Sequence, residues 1–145
     1  MLANARWNPS VVDTLPKRVI SGLEVIPIKK AFESGEVLWR LRVSDFKKCF
    51  QRFESKYPGG INYNFNSEEV NKSIYDWEDQ LWEIFPPEIK ALEGFNLKLF
   101  VDKNGQVFTV EFSIPDEAFQ KLDGFPKNTL KNFYHKLIKE KCEAF

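Results

Sequence analysis

Three carboxylates near the middle of the chain have a spacing that could support catalysis. Asp76, Asp79 and Glu83 follow an i, i+3, i+7 pattern, so in a helix they share one face. Carboxylates arranged in this way can chelate a hard cation or act as general acid and base. A row of acids is also typical of the solvated face of an amphipathic helix. The pattern therefore leaves two alternatives, a small metal-dependent or acid/base hydrolase and a polar helix surface.

No second pattern of catalytic residues joins these carboxylates. The single histidine, His135, lies beside Tyr134 and has no catalytic neighbours in the sequence. No serine occupies a Gly-x-Ser-x-Gly turn, and the only glycine pair, Gly59-Gly60, lacks the Lys and Ser/Thr of a phosphate-binding loop. We therefore expect a protein that is not an enzyme and that needs no cofactor or metal.

Aromatic side chains give the clearest binding hypothesis. They make up 15% of the chain, and two of them, Tyr75 and Trp82, lie seven positions apart at the margin of the apolar stripe of a predicted helix. With Trp39 or Tyr63 nearby, they would form an exposed platform for a sugar ring, a peptide or a protein. The alternative is that this helix is buried on two sides and that its aromatic residues only pack.

The charge distribution argues against nucleic acid as the partner. The chain has 21 basic and 21 acidic residues, whereas nucleic-acid-binding domains usually carry a basic excess. The charges are uneven, since residues 66–85 include six acidic residues and one basic residue. This acidic segment could face basic segments within the fold. We expect a protein, peptide or glycan partner and no nucleic acid, and the oligomeric state stays open.

Membrane and export signals are weak in this sequence. No apolar run approaches the roughly 20 residues that span a bilayer, and the first residues lack the apolar stretch of about 7–15 residues found in signal peptides. Two alternatives are consistent with this absence: a cytoplasmic partner-binding subunit, or an exported protein whose signal peptide has been removed. Cys49 and Cys142 match no metal-site spacing, and they fit either two buried free thiols or one disulfide.

Hydrophobic periodicity predicts the elements that must position these residues. The expected fold is α+β, an antiparallel sheet of about four strands with three main helices packed on it. Residues 1–22 are expected to form an N-terminal arm that need not be firmly ordered, and residues 23–145 a single α+β domain. Alternation predicts strands over 23–28, 37–43, 96–102 and 106–114, with a short one over 61–65, and helical spacing predicts helices after Ser44, over 66–85 and over about 128–142.

The strongest local prediction is a β-hairpin near the end of the chain. Leu97, Leu99 and Val101 share one face of its first strand, and an alternating strand follows over 106–114. The turn between them, residues 102–105, reads DKNG, and Asn-Gly tolerates the positive φ angles that such turns require.

The hairpin sequence LKLFVDKNGQV, residues 97–107, is followed by a short helix and a terminal helix. Over residues 94–139 this arrangement resembles the TonB C-terminal-like domains and small uncharacterised exported proteins of Gram-negative gut anaerobes. The resemblance implies an extracytoplasmic protein, in the periplasm or at the cell surface. It also implies that the protein binds its partner through an exposed sheet edge or helix face, without catalysis.

Overall fold

The computed structural model describes residues 10–56 and 68–143 of the chain. Within these ranges the chain forms a six-stranded antiparallel sheet and five α-helices, which confirms the α+β class. No helix in this part of the chain is long and apolar enough to cross a membrane. The strands are β1 (Val11–Thr14), β2 (Arg18–Ile20), β3 (Leu23–Ala31), β4 (Val37–Val43), β5 (Asn96–Val101) and β6 (Val107–Pro115). The helices are α1 (Phe46–Lys56), α2 (Glu68–Trp82), α3 (Pro87–Lys90), α4 (Asp116–Lys121) and α5 (Thr129–Leu137).

The strand order across the sheet is β1–β3–β4–β6–β5. β2 pairs with the half of β3 that β1 leaves unpaired, so β1 and β2 share one edge of the sheet. β5 forms the opposite edge, because β6 is its only partner among the described strands.

Two of the six strands come from the segment that was expected to be an arm. β1 and β2 have only four and three residues, and Pro16 lies between them, so their alternation is too short to be recognised in the sequence. In three dimensions both pair with β3, and the backbone N–H of Leu15 donates to the carbonyl of Pro27 at 2.9 Å. The expected count of about four strands is therefore corrected to six, and three main helices to five.

One face of the sheet packs against α2, α4 and α5 and forms the hydrophobic core. Phe112 lies at the centre of this face with no exposed surface, and its ring centroid is 6.1 Å from that of Phe133 in α5. Burial of one such side chain contributes about 1.5–3 kcal/mol. Residues that alternate with these along β4 and β6, such as Arg42 and Glu111, point to the opposite face.

Helix α1 packs on that opposite face, at one end of the sheet. The predicted stripe of Phe46, Phe50 and Phe53 meets two rings of the hairpin, Phe100 and Phe108. Phe53 and Phe108 are stacked with their centroids 4.9 Å apart. Aromatic contacts of this kind hold the helix with little help from buried aliphatic residues.

The hairpin between β5 and β6 is confirmed. Gly105 has a φ of 81°, which a residue with a side chain rarely adopts. The carboxylate oxygen Oδ1 of Asp102 accepts hydrogen bonds from the backbone N–H groups of Asn104, at 2.8 Å, and Gln106, at 3.1 Å. The turn is therefore specified by local chemistry, as the sequence indicated.

The C-terminal helix is shorter than predicted. α5 ends at Leu137, and the chain after it pairs with the hairpin instead of continuing to residue 142. The side-chain amide of Gln106 donates to the carbonyls of Ile138, at 2.9 Å, and Glu140, at 3.0 Å. Cys142 is fully buried, but it lies in this paired segment and not in a helix.

Candidate functional site

A groove lies between helix α2 and the edge strand β5. Its volume is about 420 Å³, and eight of the ten lining residues in the described part of the chain are hydrophobic. Trp77, Leu81 and Trp82 line it from α2, and Leu97 and Leu99 line it from β5. The indole N–H of Trp77 is buried and has no hydrogen-bond acceptor among residues 10–56 and 68–143.

Trp82 borders this groove and is half exposed. Its ring centroid lies 5.0 Å from that of Phe85, and the ammonium group of Lys90 is 5.4 Å from the centre of the indole. A cation over an indole face is attracted by the ring quadrupole. These two contacts hold the ring at the groove while 50% of the residue stays open to solvent.

Tyr75 is also exposed, to 67%, but it does not line the groove. It lies seven residues before Trp82 on α2, which separates the two by about 10 Å along the helix axis. Both residues therefore lie on an accessible side of α2, and the alternative in which the helix is buried on two sides does not apply to them.

Trp39 is buried, and this corrects the expectation that it could join an exposed platform. Only 6% of the residue is exposed, and its ring stacks on Phe119 of α4 with centroids 4.0 Å apart. Its indole N–H donates to Asp116 at 2.8 Å, and this hydrogen bond lowers the pKa of the Asp116 carboxyl. Trp39 points to the core because it shares a strand face with Leu41. Tyr63 and the predicted strand over 61–65 lie outside the described residues.

The structure does not gather the three helix carboxylates into a cleft. Asp76, Asp79 and Glu83 are all exposed, and Glu83 borders a pocket formed with Pro86 and Pro87. Among residues 10–56 and 68–143, no group of three or more His, Cys, Asp or Glu side chains is placed to hold a metal ion. The three acids therefore lie on a solvated helix face, which was the alternative to a catalytic site.

The remaining reactive side chains lie apart from one another. His135 is exposed on α5. Cys49 and Cys142 are both free, so the predicted disulfide is not formed. Of the two thiols predicted to be buried, Cys142 is buried and Cys49 is only partly buried. Burial raises the pKa of the Cys49 thiol, so this cysteine is not activated as a nucleophile.

The backbone of β5 adds hydrogen-bonding capacity to the groove. β5 pairs with β6 along its inner side from Asn96 to Val101. In the part of the chain that the structure describes, no strand pairs with its outer side. An edge strand of this kind presents a row of N–H and C=O groups that can pair with another chain. Apolar side chains and free backbone groups therefore lie next to each other.

Sequence reasoning found one side of the groove and missed the other. Trp82 was singled out as a candidate, whereas Leu97 and Leu99 were assigned only to one face of the hairpin. Both leucines are half-buried, because β5 is at the edge of the sheet and α2 covers it only in part. Periodicity gives the face of a strand, but it does not give the position of that strand in the sheet.

No protein family model, curated protein or solved structure matches this chain. The resemblance of residues 94–139 to TonB C-terminal-like domains therefore stays a prediction.

Proposed function

We propose that this protein is a non-enzymatic binding module that holds an extended segment of a partner protein along β5. The observation that carries this proposal is the apolar groove directly beside an edge strand. A segment added to β5 would form main-chain hydrogen bonds with it, and its alternate side chains would enter the groove between Leu99 and Trp82. Main-chain bonds supply register, and the pockets for side chains supply specificity.

Apolar side chains of the partner would provide most of the affinity. Burial of one Leu-sized or Phe-sized side chain contributes about 1.5–3 kcal/mol. The groove is lined by Leu81, Leu97 and Leu99, and its volume of about 420 Å³ leaves room for apolar side chains of the partner. Trp82 has the properties of a binding hot spot, since it is a large aromatic residue at the border of an apolar depression.

Two opposite charges in the groove lining would set the direction of the bound segment. Glu78 lies on the α2 side, and Lys98 lies on the β5 side. Both are exposed, so they contribute orientation and association rate more than affinity. A bound segment with a basic residue near Glu78 and an acidic residue near Lys98 fits the site better than the reverse.

The hairpin resemblance supports the same mode of binding. TonB-like domains would imply a partner at an exposed sheet edge, and β5 is the edge strand beside the groove. On this basis we extend the proposal to a protein of the periplasm or cell surface.

A displayed library of random peptides, selected on the purified full chain, tests this function. Fluorescence anisotropy then measures how the recovered peptides bind the wild type and Trp82→Ala. We expect Trp82→Ala to weaken binding about thirtyfold, the effect of losing a hot spot worth about 2 kcal/mol. Tyr75→Ala is the matched control, because it removes an exposed aromatic ring from the same helix outside the groove.

N-methylation of the recovered peptide tests the strand geometry. In an added strand only alternate backbone N–H groups pair with β5, so methylation should reduce binding at every second residue. If Tyr75→Ala weakens binding as much as Trp82→Ala, or if every N-methyl position is tolerated, the groove and the strand edge are not the binding site. Failure to enrich any peptide would also overturn the proposal.

A further inference from the structure

The face of the sheet opposite the core carries four basic side chains around one buried carboxylate. Arg42 and Lys98 are both paired with Glu111 across the sheet, one from each neighbouring strand. Arg40 is two residues from Arg42 on β4, and Lys30 of β3 is paired with Leu38, which is two residues before Arg40 and shares its face. We refer to these five residues as the basic cluster. Directly paired residues of antiparallel strands share a face, so the pairing itself places them on one surface.

Glu111 fixes the two arginines and is itself almost fully buried. The Nε–H of Arg42 donates to one carboxylate oxygen at 2.7 Å, and Nε of Arg40 lies 2.8 Å from the other. The Arg40 contact is an ion pair without an aligned hydrogen bond. Within residues 10–56 and 68–143, the terminal Nη groups of both arginines make no hydrogen bond. The two side chains remain 32% and 39% exposed.

The basic cluster has an excess of three positive charges. Partial burial lowers the pKa of Lys30, and the nearby charge of Arg40 lowers it further. The acidic helix α2 lies on the other face of the sheet, at the edge beside β5. Lys98 is the member of the cluster that also lines the groove with Glu78 of this helix.

We propose that the basic cluster binds an acidic segment of a partner protein, through carboxylates that pair with the terminal Nη groups of Arg40 and Arg42. Alternate residues of an extended chain are about 6.8 Å apart, on β4 and on an extended ligand alike. Two carboxylates two positions apart in the ligand can therefore meet both arginines at once. Each guanidinium offers a planar pair of N–H donors that matches a carboxylate. This surface shares Lys98 with the lining of the groove beside Trp82, whereas Lys30, Arg40, Arg42 and Glu111 do not line that groove.

A short acidic segment fits this surface better than a nucleic acid does. The cluster contains four cations, and the buried carboxylate of Glu111 lies among them. The formal net charge of the chain is zero, so a nucleic acid that extends beyond the cluster would gain little further electrostatic attraction for its phosphates. Local complementarity to two or three carboxylates does not require an overall basic excess.

Binding of a labelled peptide of alternating Glu and Ser residues tests this inference, with the same peptide carrying Gln in place of Glu as reference. We expect the Glu peptide to bind at least about tenfold tighter at low salt, and the difference to shrink at about 0.5 M salt, where charges are screened. The double variant Lys30→Gln/Lys98→Gln should weaken binding about fivefold. It leaves both ion pairs of Glu111 in place, so the fold is retained.

The matched control is Lys131→Gln/Lys136→Gln, which removes two exposed charges from α5 and leaves the cluster intact. We expect it, and Trp82→Ala, to bind the Glu peptide as the wild type does. If Lys131→Gln/Lys136→Gln weakens peptide binding as much as Lys30→Gln/Lys98→Gln does, binding depends on net charge alone and the inference is overturned. Tighter binding of a single-stranded oligothymidine than of the Glu peptide would overturn it in favour of nucleic acid. Absence of any binding would overturn it outright.

Discussion

Phe112 and Glu111 are neighbours in β6 and are almost equally buried, with 0% and 4% of their surfaces exposed. Their side chains point to opposite faces of the sheet, and the two faces achieve this burial differently. Phe112 is covered by rings and aliphatic side chains under the helices. Glu111 lies in ion pairs with Arg40, at 2.8 Å, and Arg42, at 2.7 Å, whose charges are opposite to its own.

Buried residues in this protein therefore do not all belong to one hydrophobic core. A residue on the helix-covered face is buried by packing, which depends on shape and volume. A residue on the other face is buried by ion pairs, which depend on charge and are weakened where solvent reaches them. Substitutions on the two faces should therefore differ in size and in their response to salt and pH.

The largest expected effect is on the helix-covered face. Phe112→Ala should lower the free energy of unfolding by about 3–5 kcal/mol, because it removes a large ring and leaves a cavity. Urea unfolding followed by tryptophan fluorescence measures this loss. Val19→Ala, at a residue 61% exposed on β2, is the control and should change stability by less than about 0.5 kcal/mol. A loss below about 1 kcal/mol for Phe112→Ala would contradict the packing described here.

A smaller effect is expected for the neighbouring residue. Glu111→Gln should cost about 2 kcal/mol, because the charge that holds two arginines side by side is lost, although both can still reach solvent. The loss should shrink at about 1 M salt, which screens their repulsion. Glu24→Gln is the matched control, since its ion pair with Lys17 is exposed and 3.7 Å long. If Glu111→Gln lowers the free energy of unfolding as much as Phe112→Ala does, and if salt does not change this loss, residues on the two faces are not buried by different interactions.

The smallest effect concerns a polar group on the helix-covered face. Burial raises the pKa of Tyr134 to about 12, whereas the pKa of an unfolded tyrosine is about 10. As the pH rises from about 10 to 12, the unfolded chain loses this proton before the folded chain does, so stability falls. At about pH 11 the loss should be about 1 kcal/mol.

Tyr134→Phe should remove this alkaline loss of stability. Urea unfolding at about pH 8 and about pH 11 measures the difference for the variant and the wild type. Tyr75→Phe is the control, because Tyr75 is 67% exposed and should leave the pH dependence unchanged. An unchanged alkaline loss in Tyr134→Phe would mean that another group is responsible.

Local signals in the sequence predicted the strongly periodic parts of the fold. The hairpin was predicted with its turn, because Asn104-Gly105 and the alternation on both sides point to the same structure. The stripe of α1 was predicted because its aromatic residues recur at helical spacing. β1 and β2 were missed because strands of four and three residues give almost no periodic signal.

The candidate site was predicted only in part. Trp82 could be suspected because it lies beside, and not within, the apolar stripe of α2. Trp39 was placed on a surface although it stacks on Phe119, since alternation cannot tell which face of a strand the helices will cover. The basic cluster escaped notice because its members come from four strands that are far apart in the sequence.

Short-range patterns in the sequence are enough to predict the α+β class, the hairpin and the helix stripes, because each depends on residues within a few positions of one another. They do not predict which strand lies at the edge, which face of the sheet the helices cover or which charged side chains meet. These depend on the order of strands across the sheet, and that order is set by contacts between distant segments. The groove beside β5 and the cluster around Glu111 are both products of that order.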